Sequence, residues 1–255
     1  MDMHPVELSY EEQGQGIPVI FLHGFPFDHT IWQPLAPLLQ ADARLVFPDL
    51  RGFGGSPVTE GVYSMRLLAD DVLALMDSLK IDRAVLVGHS MGGYVALSFA
   101  QAYPNRLSGL GLVATQSAAD TPERRQSRYK IAESVGHKGA RVVAGNMVNT
   151  LTPRAELVQP ITDLILKSHP VGIVGALKGM AERHDLTGIL SGVHVPAVVI
   201  AGTDDQLLPL DKSEMMAQML PKGWLVKVPG AGHMLMMEEP QQVADALRQV
   251  INMAK

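Results

Sequence analysis

The residues with the clearest chemical potential occur in the run Gly88-His89-Ser90-Met91-Gly92-Gly93. An apolar segment precedes this run and a helical pattern follows it, so the serine is expected on a tight turn between a strand and a helix. Glycine at positions 88 and 92 lets neighbouring backbones pass close to such a turn. The pattern predicts that Ser90 is a nucleophile, in preference to a plain glycine-rich turn with a capping serine.

A serine nucleophile needs an adjacent base, and a carboxylate must orient that base. After a strand–turn–helix nucleophile the partners follow in the order serine, acid, histidine. A late apolar strand at 196–201 leads into Gly202-Thr203-Asp204-Asp205, and beyond it His233 is the only histidine of the sequence. Chain order therefore selects His233 as the base, whereas spacing alone leaves both Asp204 and Asp205 open as the acid.

Acyl-transfer chemistry also needs hydrogen-bond donors that face the oxyanion, each commonly worth about 3 kcal/mol. One expected donor is the Met91 N–H, directly after the serine. The other should come from the loop His23-Gly24-Phe25-Pro26, which follows an early apolar strand. Because Pro26 has no N–H, the Phe25 N–H is the best candidate for the second donor.

Alternating strand and helix patterns surround these residues. Short apolar runs that are typical of strands buried on both faces occur at 17–22, 44–48, 83–87, 109–114, 196–201 and 224–228. Apolar residues at helical spacing occur at 64–80, 91–103 and 238–253. This alternation predicts an α/β fold with a mostly parallel sheet flanked by helices. The stretch 4–12 could add an antiparallel edge hairpin.

The stretch 116–190 interrupts the alternation because it lacks a convincing strand and contains helical patterns near 122–135, 138–151, 154–168 and 171–183. Its length exceeds that of an ordinary crossover connection. We therefore expect a helical insertion at 116–190 in a core made of 1–115 and 191–255. Ordinary crossover helices are the alternative.

Composition narrows the class of partner. The formal net charge is −5, so a nucleic-acid surface is not expected, and the absence of cysteine excludes disulfides, thiol catalysis and cysteine zinc sites. The sequence has neither a secretory signal pattern nor a run of about 20 apolar residues, so we expect a cytoplasmic protein that does not associate with a membrane. Metal-protease, phosphate-loop and complete dinucleotide motifs are missing, so we expect no metal and no cofactor.

Five segments together resemble the α/β-hydrolase superfamily, in its serine esterase and enol-lactonase-like branch. They are His23-Gly24-Phe25-Pro26, 49–56 (DLRGFGGS), 88–93 (GHSMGG), Gly202-Thr203-Asp204-Asp205 and Gly230-Ala231-Gly232-His233. The resemblance implies an eight-stranded, mostly parallel sheet and a helical cap at 116–190. It places the acid three residues after the strand-ending glycine, at Asp205, and gives Asp49 and Arg51 structural roles.

This resemblance and the ordered residues predict a serine hydrolase that cleaves a small-molecule carboxylic ester or lactone through an acyl-enzyme. A cofactor-free perhydrolase or haloperoxidase would use the same residues, with peroxide in place of water. A ligand-binding module with an unused triad is the non-enzymatic alternative. The sequence leaves the acyl group, the alcohol group and the oligomeric state open.

The apolar walls of a substrate pocket are harder to predict because methionine and aromatic residues occur more often in the core. The candidates are Phe27, Trp32, Met91, Met147, Met180 and Leu207. The basic residues at 124–130 have two interpretations. Such a charge run more often forms a solvated helix face, but it could also steer an anionic substrate.

Overall fold

The centre of the protein is a seven-stranded sheet. A computed structural model describes residues 4–254 and gives the strand order β1-β3-β2-β4-β5-β6-β7. β1 pairs antiparallel with β3, and the other neighbouring strands pair in parallel. The strands are β1 (Tyr10–Gln13), β2 (Pro18–Leu22), β3 (Arg44–Pro48), β4 (Ala84–His89), β5 (Leu107–Val113), β6 (Ala197–Gly202) and β7 (Gly223–Val228).

The parallel strands explain where a site can form. β4 and β6 are buried along their whole length, as expected for strands that helices cover on both faces. Because parallel strands end at the same edge, the turns after β2, β4, β6 and β7 converge there. These turns carry Phe25, Ser90, Asp205 and His233, which are the residues singled out from the sequence.

Six helices accompany the sheet outside the 116–190 stretch. α3 (Met91–Ala102) packs on β4 and β5, and α10 (Pro240–Met253) packs on β5 and β6. Gly109 and Gly111 of β5 give α10 room, since a Cβ on either would lie within about 3 Å of Val250 or Leu247. The helices are α1 (Ala36–Leu39), α2 (Met65–Ser78), α3 (Met91–Ala102), α8 (Leu210–Met219), α9 (Leu235–Glu238) and α10 (Pro240–Met253). In residues 4–254 no helix combines the length and the apolar character that a membrane span requires.

Four further helices lie between β5 and β6, at the positions that the sequence patterns indicate. They are α4 (Pro122–Lys138), α5 (Arg141–Leu151), α6 (Ala155–Lys167) and α7 (Pro170–Glu182). α4 packs along α7. α7 approaches the loop 52–64 so closely that a Cβ on Gly172 or Gly179 would lie 2.0 Å or 1.7 Å from a backbone oxygen. These small residues let α7 lie directly against the loop 52–64.

The expectation of eight strands was wrong by one, since the described residues contain seven. Of the stretch 4–12, the strand takes only positions 10–12, and the residues before Tyr10 form no hairpin partner. Side chains satisfy their backbone instead: the Val6 N–H donates to Asp71 and the Arg51 guanidinium donates to the His4 carbonyl. Arg51 also forms a fully buried ion pair with Asp71 at 2.6 Å, in agreement with its expected structural role.

Candidate active site

Ser90 occupies the sharp turn between β4 and α3. Its backbone angles are φ 51° and ψ −111°, a region that side chains rarely adopt. The Ser90 N–H donates to the Val113 carbonyl at 2.9 Å. A Cβ on Gly88 would lie 2.3 Å from the Gly92 oxygen, and one on Gly92 would lie 2.1 Å from the Leu22 oxygen. The two glycines are therefore required sterically, and the turn lifts Ser90 out of the sheet.

His233 and Asp205 form a buried pair at the same edge of the sheet. The His233 Nδ1 lies 2.8 Å from Asp205 Oδ2, and Asp205 Oδ1 accepts the N–H groups of Leu207 and Leu208. Burial raises the pKa of Asp205, but His233 and the two N–H groups outweigh this effect and the net shift is downward. Asp204, the other candidate acid, is exposed and bonds to Thr203. The geometry thus pairs His233 with Asp205 rather than Asp204.

The backbone around His233 is fixed from two sides. The His89 ring contacts the His233 carbonyl through Nε2 at 2.9 Å, and the Leu151 carbonyl at the end of α5 accepts the N–H groups of both His233 and Met234. Burial, followed by the nearby His233 ring, holds the pKa of His89 well below its usual value. A neutral His89 ring must carry its proton on Nε2 to donate to that carbonyl, so His89 supports the loop.

Two backbone N–H groups remain available beside Ser90. Met91 is the first residue of α3, so its N–H has no partner within the helix. In residues 4–254 no hydrogen bond takes up the N–H of Met91 or of Phe25. Gly24 allows the Phe25 loop to approach, since a Cβ there would lie 2.4 Å from the His89 ring. Both candidate oxyanion donors are therefore free to bind a ligand oxygen.

Ser90 and His233 line one small cavity of about 40 Å³. The part of the chain that the structure describes has no hydrogen bond between the Ser90 hydroxyl and the His233 ring, so the two groups face a common space without being joined. An outer chamber of about 160 Å³ shares five of its wall residues with this cavity: Phe25, Arg124, Arg128, Met147 and Leu207. We call the first space the serine cavity and the second the outer chamber.

Three of the pocket residues suggested by the sequence line the serine cavity, namely Met147, Met180 and Leu207. The structure does not bring Phe27 and Trp32 there: both are buried in the core, where the Trp32 ring lies 5.3 Å from the Phe21 ring. The apolar character that suggested these two aromatic residues suits a core equally well. The Met91 side chain is likewise buried in the core.

Four wall residues of the serine cavity were missed or interpreted differently from the sequence: Tyr94, Leu208, Arg124 and Arg128. Tyr94 lies one helical turn after Ser90, and Arg124 and Arg128 lie one turn apart on α4. Helical spacing could therefore have placed each pair on one face. A larger cavity of about 330 Å³ also touches Tyr94 but includes neither Ser90 nor His233.

A second histidine–aspartate pair lies outside the serine cavity. The His29 Nδ1 lies 2.7 Å from Asp49 Oδ1, and Asp28 is close enough to complete a cluster of three potential metal ligands. Asp49 already accepts the N–H groups of His29 and Gly55. The hydrogen bond to Asp49 raises the pKa of His29 to about 9. The cluster is thus an ion pair whose acceptor atoms are occupied by protein donors.

Comparison with known proteins agrees with this architecture. A family model described as "alpha/beta hydrolase fold" matches residues 17–240. The structure of a thermophilic esterase from Thermogutta terrifontis, solved with malate bound, is similar at a TM-score of 0.95 and 38% sequence identity. The match covers 98% of this chain and 94% of that chain.

Other similar proteins differ in their described chemistry. The enol-lactonase from Burkholderia xenovorans shares the fold at a TM-score of 0.89 and 24% identity, over 96% of each chain. A Mycobacterium tuberculosis protein that is provisionally named a non-heme bromoperoxidase has a TM-score of 0.86 at 25% identity, over 100% of this chain and 99% of its own. The acetyltransferase component of an acetoin cleaving system from Pseudomonas putida is 32% identical over 89% of this chain. This chain spans only 61% of the length of that component.

Proposed function

This chain belongs to the α/β-hydrolase family, and we propose that it cleaves a carboxylic ester or lactone with Ser90 as the nucleophile. One observation carries the proposal: Ser90, on a strained turn, and His233, whose Nδ1 bonds to Asp205, line a single cavity beside two free backbone N–H groups. The similarity to an esterase at 38% identity supports the same reaction class.

The mechanism begins with attack of the Ser90 oxygen on the substrate carbonyl carbon while the His233 Nε2 takes the hydroxyl proton. A hydrogen bond between these two groups is often long in a free enzyme and tightens when substrate binds. Asp205 holds the ring with Nδ1 protonated and stabilises the imidazolium that forms. The carbonyl oxygen becomes an oxyanion, which the N–H groups of Phe25 and Met91 bind.

Collapse of the tetrahedral intermediate breaks the bond to the alcohol oxygen, and His233 returns its proton to that leaving group. The product of this half-reaction is an ester of Ser90. A water molecule then attacks the acyl carbon while His233 accepts its proton, and the second intermediate releases the acid and regenerates the Ser90 hydroxyl. Over the two half-reactions one water is consumed, the acid and the alcohol are released, and no oxidant or reductant is needed.

The inserted helices supply the lid in this proposal. We assign 1–115 and 191–255 to the hydrolase core and 116–190 to a helical cap. Met147 of α5 and Met180 of α7 line the serine cavity, so the cap provides apolar walls for the substrate. Closing the space above Ser90 limits water there and strengthens the electrostatic stabilisation of the oxyanion.

The direct test measures hydrolysis of short p-nitrophenyl esters by the wild-type protein and by Ser90→Ala. We expect the substitution to lower kcat by at least about 10³-fold with little change in melting temperature. A matched control is Ser108→Ala, because Ser108 lies on β5 away from both cavities. Equal turnover by wild type and Ser90→Ala would exclude the proposal.

A second candidate, cofactor-free perhydrolase or haloperoxidase activity, is favoured by the similarity to the Mycobacterium tuberculosis protein. Peroxide would replace water in the second half-reaction, and the product would be a peracid. Acetate-dependent bromination at rates above ester cleavage would select this candidate. Ester cleavage without bromination would select the hydrolase.

A further inference from the structure

We infer that the preferred esters or lactones carry a free carboxylate, which Arg128 binds with the help of Arg124. This inference rests on the proposed function and names its substrate class. Both arginines lie on α4, four residues apart, and both line the serine cavity as well as the outer chamber. A substrate that reaches Ser90 through these two spaces passes both guanidinium groups.

Positive charge exceeds negative charge where α4 borders the serine cavity and the outer chamber. The Asp120 carboxylate is buried and faces three guanidinium groups, those of Arg124, Arg128 and Arg183. Burial raises the pKa of Asp120, but Arg128 and Arg183 outweigh it and the net shift is downward, so the carboxylate is ionised. Asp185 adds a second carboxylate near Arg183, but two negative charges do not neutralise three positive charges, and no acidic side chain lines either space. The excess positive charge therefore lies beside the substrate site.

Asp120 is shared between Arg128 and the more deeply buried Arg183. Arg183 Nη1 lies 2.7 Å from Asp120 Oδ1, its Nη2 donates to the Ala118 carbonyl, and its guanidinium lies 4.1 Å from the centre of the Tyr94 ring. Arg183 lines neither the serine cavity nor the outer chamber. Its charge thus belongs to the scaffold and takes part of the negative charge of Asp120, so the charges of Arg128 and Arg124 are only partly balanced beside the cavities.

Arg128 keeps a donor that no oxygen occupies. Its Nε and Nη2 bond to Asp120, whereas its Nη1 contacts only the Met180 sulfur at 3.4 Å. A thioether is a weak acceptor, so a carboxylate oxygen would be a much better partner. The side chain is only 11% exposed, and a charge-assisted bond is stronger in such surroundings.

Arg124 complements this arrangement from the more exposed side. Its Nε lies 3.5 Å from Asp120 and forms no hydrogen bond there, so its donors are free to turn towards the outer chamber. The basic run at 124–130 is therefore not simply a solvated face: Lys130 is exposed, but Arg124 and Arg128 border the substrate space. The volumes of about 40 Å³ and 160 Å³ favour a short substrate.

The test compares two short methyl esters of matched shape, monomethyl succinate and methyl 4-oxopentanoate. They differ in that a methyl ketone replaces the carboxylate. We expect the wild-type protein to prefer the anionic ester by at least about 10-fold in kcat/KM, since a hydrogen bond to a charged group contributes about 1.5–3 kcal/mol. Raising the salt concentration should reduce this preference.

Arg128→Gln should lower kcat/KM for the anionic ester by about 10- to 100-fold more than kcat/KM for the neutral ester. Arg124→Gln, which removes no hydrogen bond to Asp120, should lower kcat/KM for the anionic ester by about 3- to 5-fold and keeps the test decisive if Arg128→Gln does not fold. Lys130→Gln removes the same charge from the exposed side of α4 and should leave kcat/KM unchanged for both esters.

The outcomes separate this inference from the proposed function. Cleavage of the neutral ester without preference for the anion, or equal losses for both esters in Arg124→Gln and Arg128→Gln, would overturn the carboxylate site alone. Cleavage of neither ester by the wild-type protein, together with no effect of Ser90→Ala on any ester, would remove the proposed function itself.

Discussion

His233 and His29 each present Nδ1 to a buried aspartate, at 2.8 Å from Asp205 and 2.7 Å from Asp49. The two pairs differ in what the other ring nitrogen faces. His29 Nε2 lies 3.2 Å from the Glu11 carboxylate, whereas the ring of His233 borders the cavity that contains Ser90.

This difference teaches that a histidine–aspartate pair is not by itself a sign of catalysis. Two carboxylates hold His29 protonated, with a pKa of about 9, and a protonated ring cannot act as a base at neutral pH. A base needs one aspartate behind it and an open space in front of it. This comparison can be tested by making the same substitution in the His233–Asp205 pair and in the His29–Asp49 pair.

The largest expected effect comes from the ring itself. His233→Ala should lower kcat on a short ester by at least about 10⁴-fold, because no group remains to accept the Ser90 proton. His29→Ala should leave kcat within about 3-fold once the folded fraction is taken into account. Steady-state kinetics and thermal unfolding of both variants provide the measurement, and equal losses of kcat would mean that the two pairs do not differ in kind.

Substitutions of the two aspartates should differ almost as strongly in their effect on kcat. Asp205→Asn should lower kcat by about 10³- to 10⁴-fold with little change in KM, because an amide neither fixes the required tautomer nor stabilises the imidazolium. Asp49→Asn should keep kcat but lower the free energy of unfolding by about 2 kcal/mol, since N–H donors lose a charged acceptor. A stable Asp205→Asn protein with normal kcat would contradict the assigned role.

Steric changes beside each pair should have intermediate effects. A Cβ on Gly202 would lie 2.2 Å from the Ala231 oxygen, so Gly202→Ala should displace the histidine loop and lower kcat by about 10- to 100-fold. Gly54 has φ +51° and a Cβ there would lie 2.1 Å from Asp49. Gly54→Ala should lower the free energy of unfolding by about 2 kcal/mol and leave the kcat of the folded fraction unchanged. Denaturant titration and kinetics of both variants distinguish these outcomes.

The smallest effect is the pH dependence of stability at His29. Its pKa is raised from 6.5 to about 9 in the folded state, so the stabilisation is complete below pH 6.5 and is lost as pH rises through 9. Allowing for solvent screening, we expect a loss of about 1 kcal/mol in this window. Urea unfolding at pH 6 and pH 9.5 should show this loss in the wild type and not in His29→Gln; parallel curves for the two proteins would contradict it.

Much of the fold could be predicted because strand positions depend on local apolar runs. All six runs assigned from the sequence overlap a strand of the structure: the run 44–48 coincides with β3, and the ends of the other five differ from the strand ends by at most two residues. The prediction of an eighth strand was wrong because side chains far along the sequence bind the backbone of residues 4–9. The Val6 N–H donates to Asp71, 65 residues later, and the Ser9 N–H donates to Ser56, 47 residues later. No local pattern contains such pairings.

Some residues of the candidate site could also be predicted from local sequence, whereas others depended on distant contacts. Chain order and glycine spacing indicated Ser90 and His233, and resemblance was needed to prefer Asp205 over Asp204. The roles of Phe27, Trp32 and Arg128 depended on which side of an element faces the sheet edge. An aromatic residue after β2 suits the core and the pocket equally, and an arginine on α4 suits water and the pocket equally. Only the packing of α4 on α7 decides what the arginine faces.

The Leu151 carbonyl links the end of α5 to the loop that carries His233 by hydrogen bonds. It ends α5 and accepts the N–H groups of His233 and Met234, so α5 cannot swing away as a rigid body without releasing the backbone that carries the imidazole. Such a swing would cost about 1 kcal/mol for each hydrogen bond. We therefore expect α5 to stay in place when a ligand enters the serine cavity, so that access depends on the rotation of wall side chains such as Met147 and Arg124.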